Sequence, residues 1–350
     1  MIKRKKTVRV TVGNLAIGGT APITVQTMTT TDTRDVTATV RQIKRLQRAG
    51  CDIIRVAVPD QAAARAIGKI KKSITLPLVA DIHFNHKLAL IALAQGADKI
   101  RINPGNIGSA AKVKEVVRAA AENRVPIRIG VNAGSVDKGI RTKYRDNPAQ
   151  GLAESALKEV AILEKLNFGN IVISLKASSI FVTRKAYHTV SKKVRYPLHV
   201  GITEAGPVFQ GSVVSAIGIG SLLLDGIGDT IRVSLTGDPA EEVKLGREIL
   251  RALEIRKDRP RLISCPTCGR CEIDLFSTVK QVDRQLDKIK KPLTVAVMGC
   301  AVNGPGEARE ADIGIAGGKR CGLLFKKGKV VKKVKERNLA GVLLKEIERI

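Results

Sequence analysis

Gln95-Gly-Ala-Asp-Lys-Ile-Arg-Ile102, together with Ala49-Gly-Cys-Asp-Ile-Ile-Arg-Val56 and Asp225-Gly-Ile-Gly-Asp-Thr-Ile-Arg-Val233, decides how the first two thirds of the chain fold. In each, an amphipathic stretch ends at a glycine and a short β-branched run follows. Glycine just past a helix end is a C-cap signal. The runs that follow are too short for helices and lack polar alternation, so they read as buried parallel strands. Outward from these three, the spacing predicts eight such runs: 23–28, 53–58, 78–82, 99–103, 127–132, 170–175, 198–202 and 230–235. Helical stretches separate them, among them 36–49, 87–95, 110–123, 152–166, 208–224 and 240–255. Alternating units of this kind predict an α/β fold, an N-terminal (β/α)8 TIM barrel. A doubly wound open sheet is the alternative, but no GxGxxG follows the first strand, which weakens a dinucleotide fold.

A linker rich in Lys, Arg and Pro (256–261) precedes a cysteine-bearing region. Beyond it the pattern predicts a helix near 273–289, strands at 293–298 and 312–316, a hairpin of 321–325 and 330–334 about Gly328, and a closing helix at 339–350. The division is therefore a barrel domain, 1–256, and a small C-terminal α+β domain, 257–350.

The cysteine region reads Ser264-Cys-Pro-Thr-Cys-Gly-Arg-Cys271 and, further on, Met298-Gly-Cys-Ala-Val-Asn-Gly-Pro-Gly-Glu307. Cys265, Cys268 and Cys300, with Glu307 after a Gly-Pro-Gly turn, can converge at the ends of neighbouring elements. Soft thiolates select zinc or an iron–sulfur cluster. Cys271 offers a further thiolate from the same loop. Of the six cysteines, four lie between 265 and 300, which favours a metal site over a dispersed disulfide frame. Cys51 and Cys321, in apolar surroundings, read as small buried hydrophobes.

Composition narrows the partners. The chain carries 61 Lys+Arg against 32 Asp+Glu, a formal +29, which suits an anionic partner. Aromatic residues make up 3% with no Trp, so stacking platforms for single-stranded nucleic acid are poorly supplied. No stretch reaches the roughly 18 consecutive apolar residues of a membrane helix, and the basic N-terminus leads into no signal-peptide core. The expectation is a cytoplasmic protein with reduced thiols, binding neither nucleic acid nor membrane.

In a barrel the chemistry gathers where strands end. The eight predicted ends carry Gln26, Arg55, Asp81 with His83, Arg101 with Asn103, Arg128 with Asn132, Lys176, Glu204, and Arg232 with Ser234. Half-buried cations clustered on one face are costly unless an anion pairs with them, and Arg matches phosphate oxygens in bidentate fashion. A phosphorylated, diphosphate-like ligand follows. Glu204, in a Gly-rich loop, is the general-acid candidate, and its alternative is helix capping. His83 reads as proton shuttle or phosphate donor, and Asp81 as the group that orients it; each has a purely structural alternative. Lys176-Ala-Ser-Ser combines an anion contact with an N-cap, and Asn132-Ala-Gly-Ser has a plain turn as its alternative.

Cys265-Pro-Thr-Cys-Gly-Arg, Gly299-Cys-Ala-Val-Asn-Gly-Pro-Gly-Glu, Ala80-Asp-Ile-His-Phe, Ile102-Asn-Pro-Gly-Asn and Val25-Gln-Thr-Met together resemble the 4-hydroxy-3-methylbut-2-enyl diphosphate synthase (IspG/GcpE) family, in its two-domain bacterial form. The resemblance implies a 4Fe-4S cluster on Cys265, Cys268, Cys300 and Glu307. It implies an oxidoreductase that opens and reduces 2-C-methyl-D-erythritol 2,4-cyclodiphosphate by two electrons, with loss of water, in isoprenoid biosynthesis. Flavodoxin or ferredoxin is the implied donor and a homodimer the implied assembly. It carries Arg55, Arg101, Arg128, Asn132, Lys176, Arg232 and Ser234 over as substrate-binding residues, and Glu204, His83 and Asp81 as catalytic ones. Cys271 departs from the family's ligand pattern. Two other readings compete: a basic zinc protein that binds nucleic acid, which the charge favours and the aromatic content does not, and a metal-independent barrel enzyme of pterin-synthase type, which has no use for the cysteines.

Overall fold

In the computed structural model, which describes residues 2–300, 306 and 309–350, the three glycine stretches repeat one local device. Helices Val36–Arg48, His86–Ala94 and Val208–Leu224 run into Gly50, Gly96 and Gly226, with φ of 98°, 84° and 74°. The turn is closed by paired backbone bonds, Gly50 N–H to Gln47 and Cys51 N–H to Leu46, and likewise at Gly96/Ala97 and Gly226/Ile227. Side chains with a Cβ avoid this left-handed region, so glycine ends the helix without strain. The aspartate that follows does the second job. Asp52, Asp98 and Asp229 accept the backbone N–H of Val25, Leu78 and Leu198 at 2.8, 2.7 and 2.9 Å. Each aspartate stands just before one strand and holds the start of its neighbour, which sets the register between them. Arg124, Asn167 and Glu254 take the same left-handed step at helix ends that no glycine marks.

The first unit, Met1–Ile255, holds ten strands: β1 (Val10–Val12), β2 (Leu15–Ile17), β3 (Thr24–Met28), β4 (Ile53–Ala57), β5 (Leu78–Asp81), β6 (Lys99–Ile102), β7 (Ile127–Asn132), β8 (Ile171–Lys176), β9 (His199–Val200) and β10 (Thr230–Ile231). The last eight form one parallel sheet in the order β8-β7-β6-β5-β4-β3-β10-β9, and a parallel bridge between Ile173 and Leu198 closes it into a barrel. All eight predicted runs are strands of this barrel. β9 and β10 are shorter than their runs. A Cβ at Gly201 would lie 2.4 Å from the Arg232 carbonyl oxygen, so the chain leaves regular pairing where the two backbones crowd together. The outer helices bury their apolar faces on the sheet, as in Ile43 and Leu46 of the first helix.

The antiparallel hairpin β1–β2 was not anticipated. It turns at Gly13-Asn14, and Val10, Val12 and Ile17 pack with Ile53, Val79 and Val172. These last three are inward residues at the amino ends of β4, β5 and β8, so the hairpin floors the barrel. Alternation in Val8-Arg-Val-Thr-Val12 before a two-residue Gly-Asn turn was the available signal.

The second unit, Arg256–Ile350, is a sheet ordered β11 (Arg261–Ser264), β12 (Thr294–Met298), β13 (Ile313–Gly318), β14 (Cys321–Lys326) and β15 (Lys329–Lys335). β11 to β13 are parallel, and β14 and β15 return antiparallel. Helices Leu275–Leu286 and Leu339–Glu348 place Leu275, Val282, Leu286, Leu339, Leu343 and Ile347 against Val295, Val297, Ile313 and Ile315. β11 begins at Arg261, which the sequence assigns to the linker; an edge strand of four residues, exposed at both ends, leaves too little pattern to read. Among the described residues no helix is long and apolar enough to cross a membrane.

Candidate active site

Strand alternation turns every second barrel residue inward. Towards the carboxyl end this gathers Arg55, Asp81, Arg101 and Lys176, with Arg232 just past β10 and Arg128, the second residue of β7, beneath them; all but Arg232 are at most 8% exposed. Asp81 is the shared counter-charge: its Oδ2 lies 3.9 Å from Arg55 Nε and its Oδ1 lies 3.5 Å from Arg101 Nη1. Burial pushes its carboxyl upward, but Arg55, His83, Arg101 and Arg128 outweigh this and hold it well below the usual carboxylate range. The cations pay the opposite penalty. Burial first, then Arg232, Arg55, Arg128 and Arg101, lowers the Lys176 ammonium well below the ordinary lysine value. Burial, then Arg55 and Arg101, does the same to Arg128, and burial with Arg55 brings Arg232 down to about 10. Among the described residues Asp81 is the one carboxylate ion-paired with this group.

The structure brings His83 to the same place. Its Nδ1 lies 2.9 Å from Arg101 Nη1, and its Nε2 lies 3.4 Å from Asp81 Oδ2. The same Arg101 Nη1 lies 3.1 Å from Nε2, so the guanidinium faces both ring nitrogens and donates to whichever is unprotonated. The His83 side chain is 53% exposed, at the rim. Arg101 owes its position to Gly130: Arg101 Nη2 donates to the Gly130 carbonyl at 3.1 Å, and a Cβ at 130 would meet Arg101 Nε at 2.6 Å. Arg55 is steadied by Met28, whose Sδ lies 3.1 Å from Nε and 3.0 Å from Nη2.

Glu204 lies exposed in the loop after β9 with φ of 57°, a left-handed conformation unusual for a residue with a side chain. That loop is tied to the end of the barrel by Thr236 N–H to the Gly206 carbonyl. Ser234 is half-buried two residues beyond Arg232, and half-buried Asn132 opens a turn in which its N–H donates to Ser135 Oγ at 3.1 Å. Ser179 caps helix Ile180–Lys193 through the Val182 N–H, which accounts for the serine after Lys176. Asn103 turns to Glu159 rather than to the mouth: with its amide oriented to satisfy both groups, Nδ2 donates to Glu159 Oε1 at 2.8 Å.

Two interior residues were not read from the sequence at all. Lys99 and His199, the first residues of β6 and β9, are wholly buried inside the barrel. Period-2 alternation back from Arg101 would have placed Lys99 on the inward face. Burial, followed by Arg128, Lys176 and Lys99, keeps His199 well below the ordinary histidine value.

In the second unit, β11 and β12 are parallel neighbours with Ser264 opposite Val297. Cys265 and Cys300 therefore emerge at the same end of adjacent strands. Gly299 N–H donates to Cys265 Sγ at 3.2 Å, the kind of N–H···S bond that supports a thiolate ligand. Cys268 is exposed and Cys300 buried. Among the described residues no three His, Cys, Asp or Glu side chains converge on a metal-sized point, and Glu307 lies outside the described residues. The thiolates and their shared sheet end fit an iron–sulfur group in donor chemistry. Cys271 is otherwise engaged: its thiol donates to the Ile273 carbonyl at 3.2 Å and packs against Gly299. Cys51 is buried, and burial pushes its thiol up to about 12, whereas Cys321 is half-buried in β14.

A closed parallel barrel with guanidinium groups crowded at its mouth, followed by a small mixed sheet with thiols at one end, defines an α/β-barrel protein built for a strongly anionic ligand. Residues 7–247 match the GcpE TIM-barrel domain and residues 261–349 the GcpE protein C-terminal domain. The chain belongs to the GcpE family. It is 61% identical to the 4-hydroxy-3-methylbut-2-en-1-yl diphosphate synthase (flavodoxin) of Caldanaerobacter subterraneus subsp. tengcongensis, over 100% of this chain and 99% of that one. It is 57% identical to the protein of the same name from Geobacillus thermodenitrificans, over 100% and 94%. Among solved structures, a Xanthomonas albilineans dihydropteroate synthase aligns with a TM-score of 0.52 at 14% identity, covering 71% of this chain and 98% of that one, a likeness of fold alone.

Proposed function

We propose that this chain is an oxidoreductase that converts 2-C-methyl-D-erythritol 2,4-cyclodiphosphate to 4-hydroxy-3-methylbut-2-enyl diphosphate, a step of isoprenoid biosynthesis, taking its electrons from flavodoxin or ferredoxin. The observation that carries this is the buried excess of cations at the barrel mouth, with Asp81 as its single ion-paired carboxylate among the described residues. Such a cluster is costly until a multiply charged anion fills it. Arg55, Arg101, Arg128, Lys176 and Arg232 bind the diphosphate, with Asn132 and Ser234 as neutral donors at the rim. They stabilise the charge that grows on phosphate as the ring C–O bond breaks. Asp81 fixes Arg55 and Arg101 and stands beside His83, whose ring faces both Asp81 and Arg101. Glu204, on its strained rim loop, delivers the proton to the leaving oxygen that departs as water.

A 4Fe-4S cluster held by Cys265, Cys268, Cys300 and Glu307 supplies the two electrons when bound. The first unit, Met1–Ile255, takes the substrate and the second, Arg256–Ile350, carries the ligands. The reduced cytoplasm suits those thiolates. The assembly is a homodimer, supported by an uncharged apolar face on helix Val208–Leu224, where Phe209 is 86% and Ile217 is 55% exposed.

The test uses anaerobically purified full-length protein given the cyclic diphosphate and reduced flavodoxin. Iron and sulfide should be bound in cluster amounts, and the linear diphosphate should form. Glu204→Gln should lower kcat by about 100-fold or more with KM nearly unchanged, the range of general-acid catalysis. Colourless protein with stoichiometric zinc and no turnover would sink the reading. A large rise in KM with kcat intact would move Glu204 from proton transfer to binding.

A further inference from the structure

Below the mouth, the barrel interior holds buried polar atoms without partners; of the residues that carry them, Arg128 alone is shared with the proposed diphosphate site. Lys99 Nζ has no hydrogen-bond partner among the described residues, and the same is true of Arg128 Nε and Nη1, His199 Nε2 and both amide atoms of Gln26. All four residues are at most 2% exposed. Lys99 stands one pleat below Arg101 on β6, about 7 Å deeper at the rise of a strand. Lys99, Arg128 and His199 lie close enough to act on one another electrostatically.

Unpaired buried donors of this number are rare, and each calls for a partner. Discharging Lys99 would remove one charge and leave Arg128 with its own, because a guanidinium does not deprotonate in a protein. His199 Nδ1 lies 3.4 Å from Thr230 Oγ1; with Nδ1 as acceptor, Nε2–H becomes one more free donor. The pairing requirement is thus for an acceptor, and for one that carries negative charge. Size limits the choice. Ile53, Val79 and Val172 close the space from below with the β1–β2 hairpin, and side chains fill barrels of this strand number.

We propose that the barrel interior holds a resident monatomic anion of chloride size, bound by Lys99, Gln26, His199 and Arg128, one layer below the diphosphate and sharing the Arg128 guanidinium with it. It is a fixed counter-ion: it lets the cations of the mouth stay packed while no substrate is present. It also sets the depth to which the diphosphate can sink, since the floor beneath it is already occupied by negative charge.

Crystals of the full-length protein soaked in sodium bromide, with inorganic pyrophosphate filling the mouth, test this by anomalous scattering at the bromine edge. A bromide peak is expected within hydrogen-bond reach of Lys99 Nζ and the Arg128 guanidinium, and it should vanish in Lys99→Met. No interior peak in the native protein, or an equal peak in the variant, overturns the proposal. A second readout needs no variant. With pyrophosphate saturating, Tm in chloride should exceed Tm in gluconate at equal ionic strength by about 2–4 °C, the shift a site filled to a few tens of Kd gives a chain of this size; equal Tm values overturn it as well. Pyrophosphate absent from the mouth would count against the proposed function instead, and the interior bromide is read independently of it.

Discussion

At the scale of single residues, the mouth depends on groups that carry no charge. Gly130 is the clearest. Any side chain there meets Arg101 Nε at 2.6 Å and Nη2 at 3.2 Å. The obstacle is the end of a long side chain rather than backbone, so Gly130→Ala should fold and displace the guanidinium. Arg101 then loses its bond to the Gly130 carbonyl, its approach to His83 and its place beside Asp81. A charge-assisted hydrogen bond contributes roughly 1.5–3 kcal/mol, so KM for the cyclic diphosphate should rise about 10- to 100-fold while Tm moves little. Steady-state kinetics beside a melting curve checks this; unchanged KM would show that Arg101 does not hold substrate. The cations themselves were legible because a charged residue at the end of an apolar run is conspicuous. Gly130, Lys99 and His199 were not. Lys99 opens its run and reads as the solvent-facing start of a strand, and nothing in the composition of a strand says which glycine makes room for a distant guanidinium.

At the scale of elements, the barrel is held in register by the aspartates that follow the helix-ending turns. Asp98 takes the Leu78 N–H and also Lys71 Nζ, so one carboxylate joins β5, β6 and the helix Gln61–Lys72. Asp98→Ala leaves that N–H without its acceptor, and the expected loss is about 1.5–3 kcal/mol. Urea unfolding monitored by circular dichroism measures it, and a loss below about 0.5 kcal/mol, the scale of an ordinary surface substitution, would refute the role. The amino end of the barrel lies away from the cation cluster, so substrate affinity should be untouched. The helix ends at Gly50, Gly96 and Gly226 were readable because glycine announces the left-handed step. Those at Arg124, Asn167 and Glu254 take the same step silently, held by the surrounding packing. The β1–β2 hairpin escaped notice for a different reason: its strands are three residues long and become stable only by covering the barrel floor.

At the scale of the whole molecule, a formal +29 governs how two copies can meet. Basic surfaces repel one another, so association favours a face without charge. Helix Val208–Leu224 contains no charged residue, and Phe209, Val213 and Ile217 recur at every fourth position of its exposed side; Phe181 of helix Ile180–Lys193 is exposed as well. Contiguous exposed apolar side chains of this kind mark an interaction surface. From sequence alone this stretch reads as one more amphipathic helix laid on the barrel; that an apolar side of it stays uncovered depends on where its neighbours pack. If the homodimer forms here, Ile217→Lys places two ammonium groups across the axis. Sedimentation velocity should show the native chain as a dimer and the variant as a monomer at micromolar concentration, with the far-ultraviolet spectrum unchanged. A native monomer, or a variant that remains dimeric, would remove this face from the assembly and leave the exposed phenylalanines to another partner.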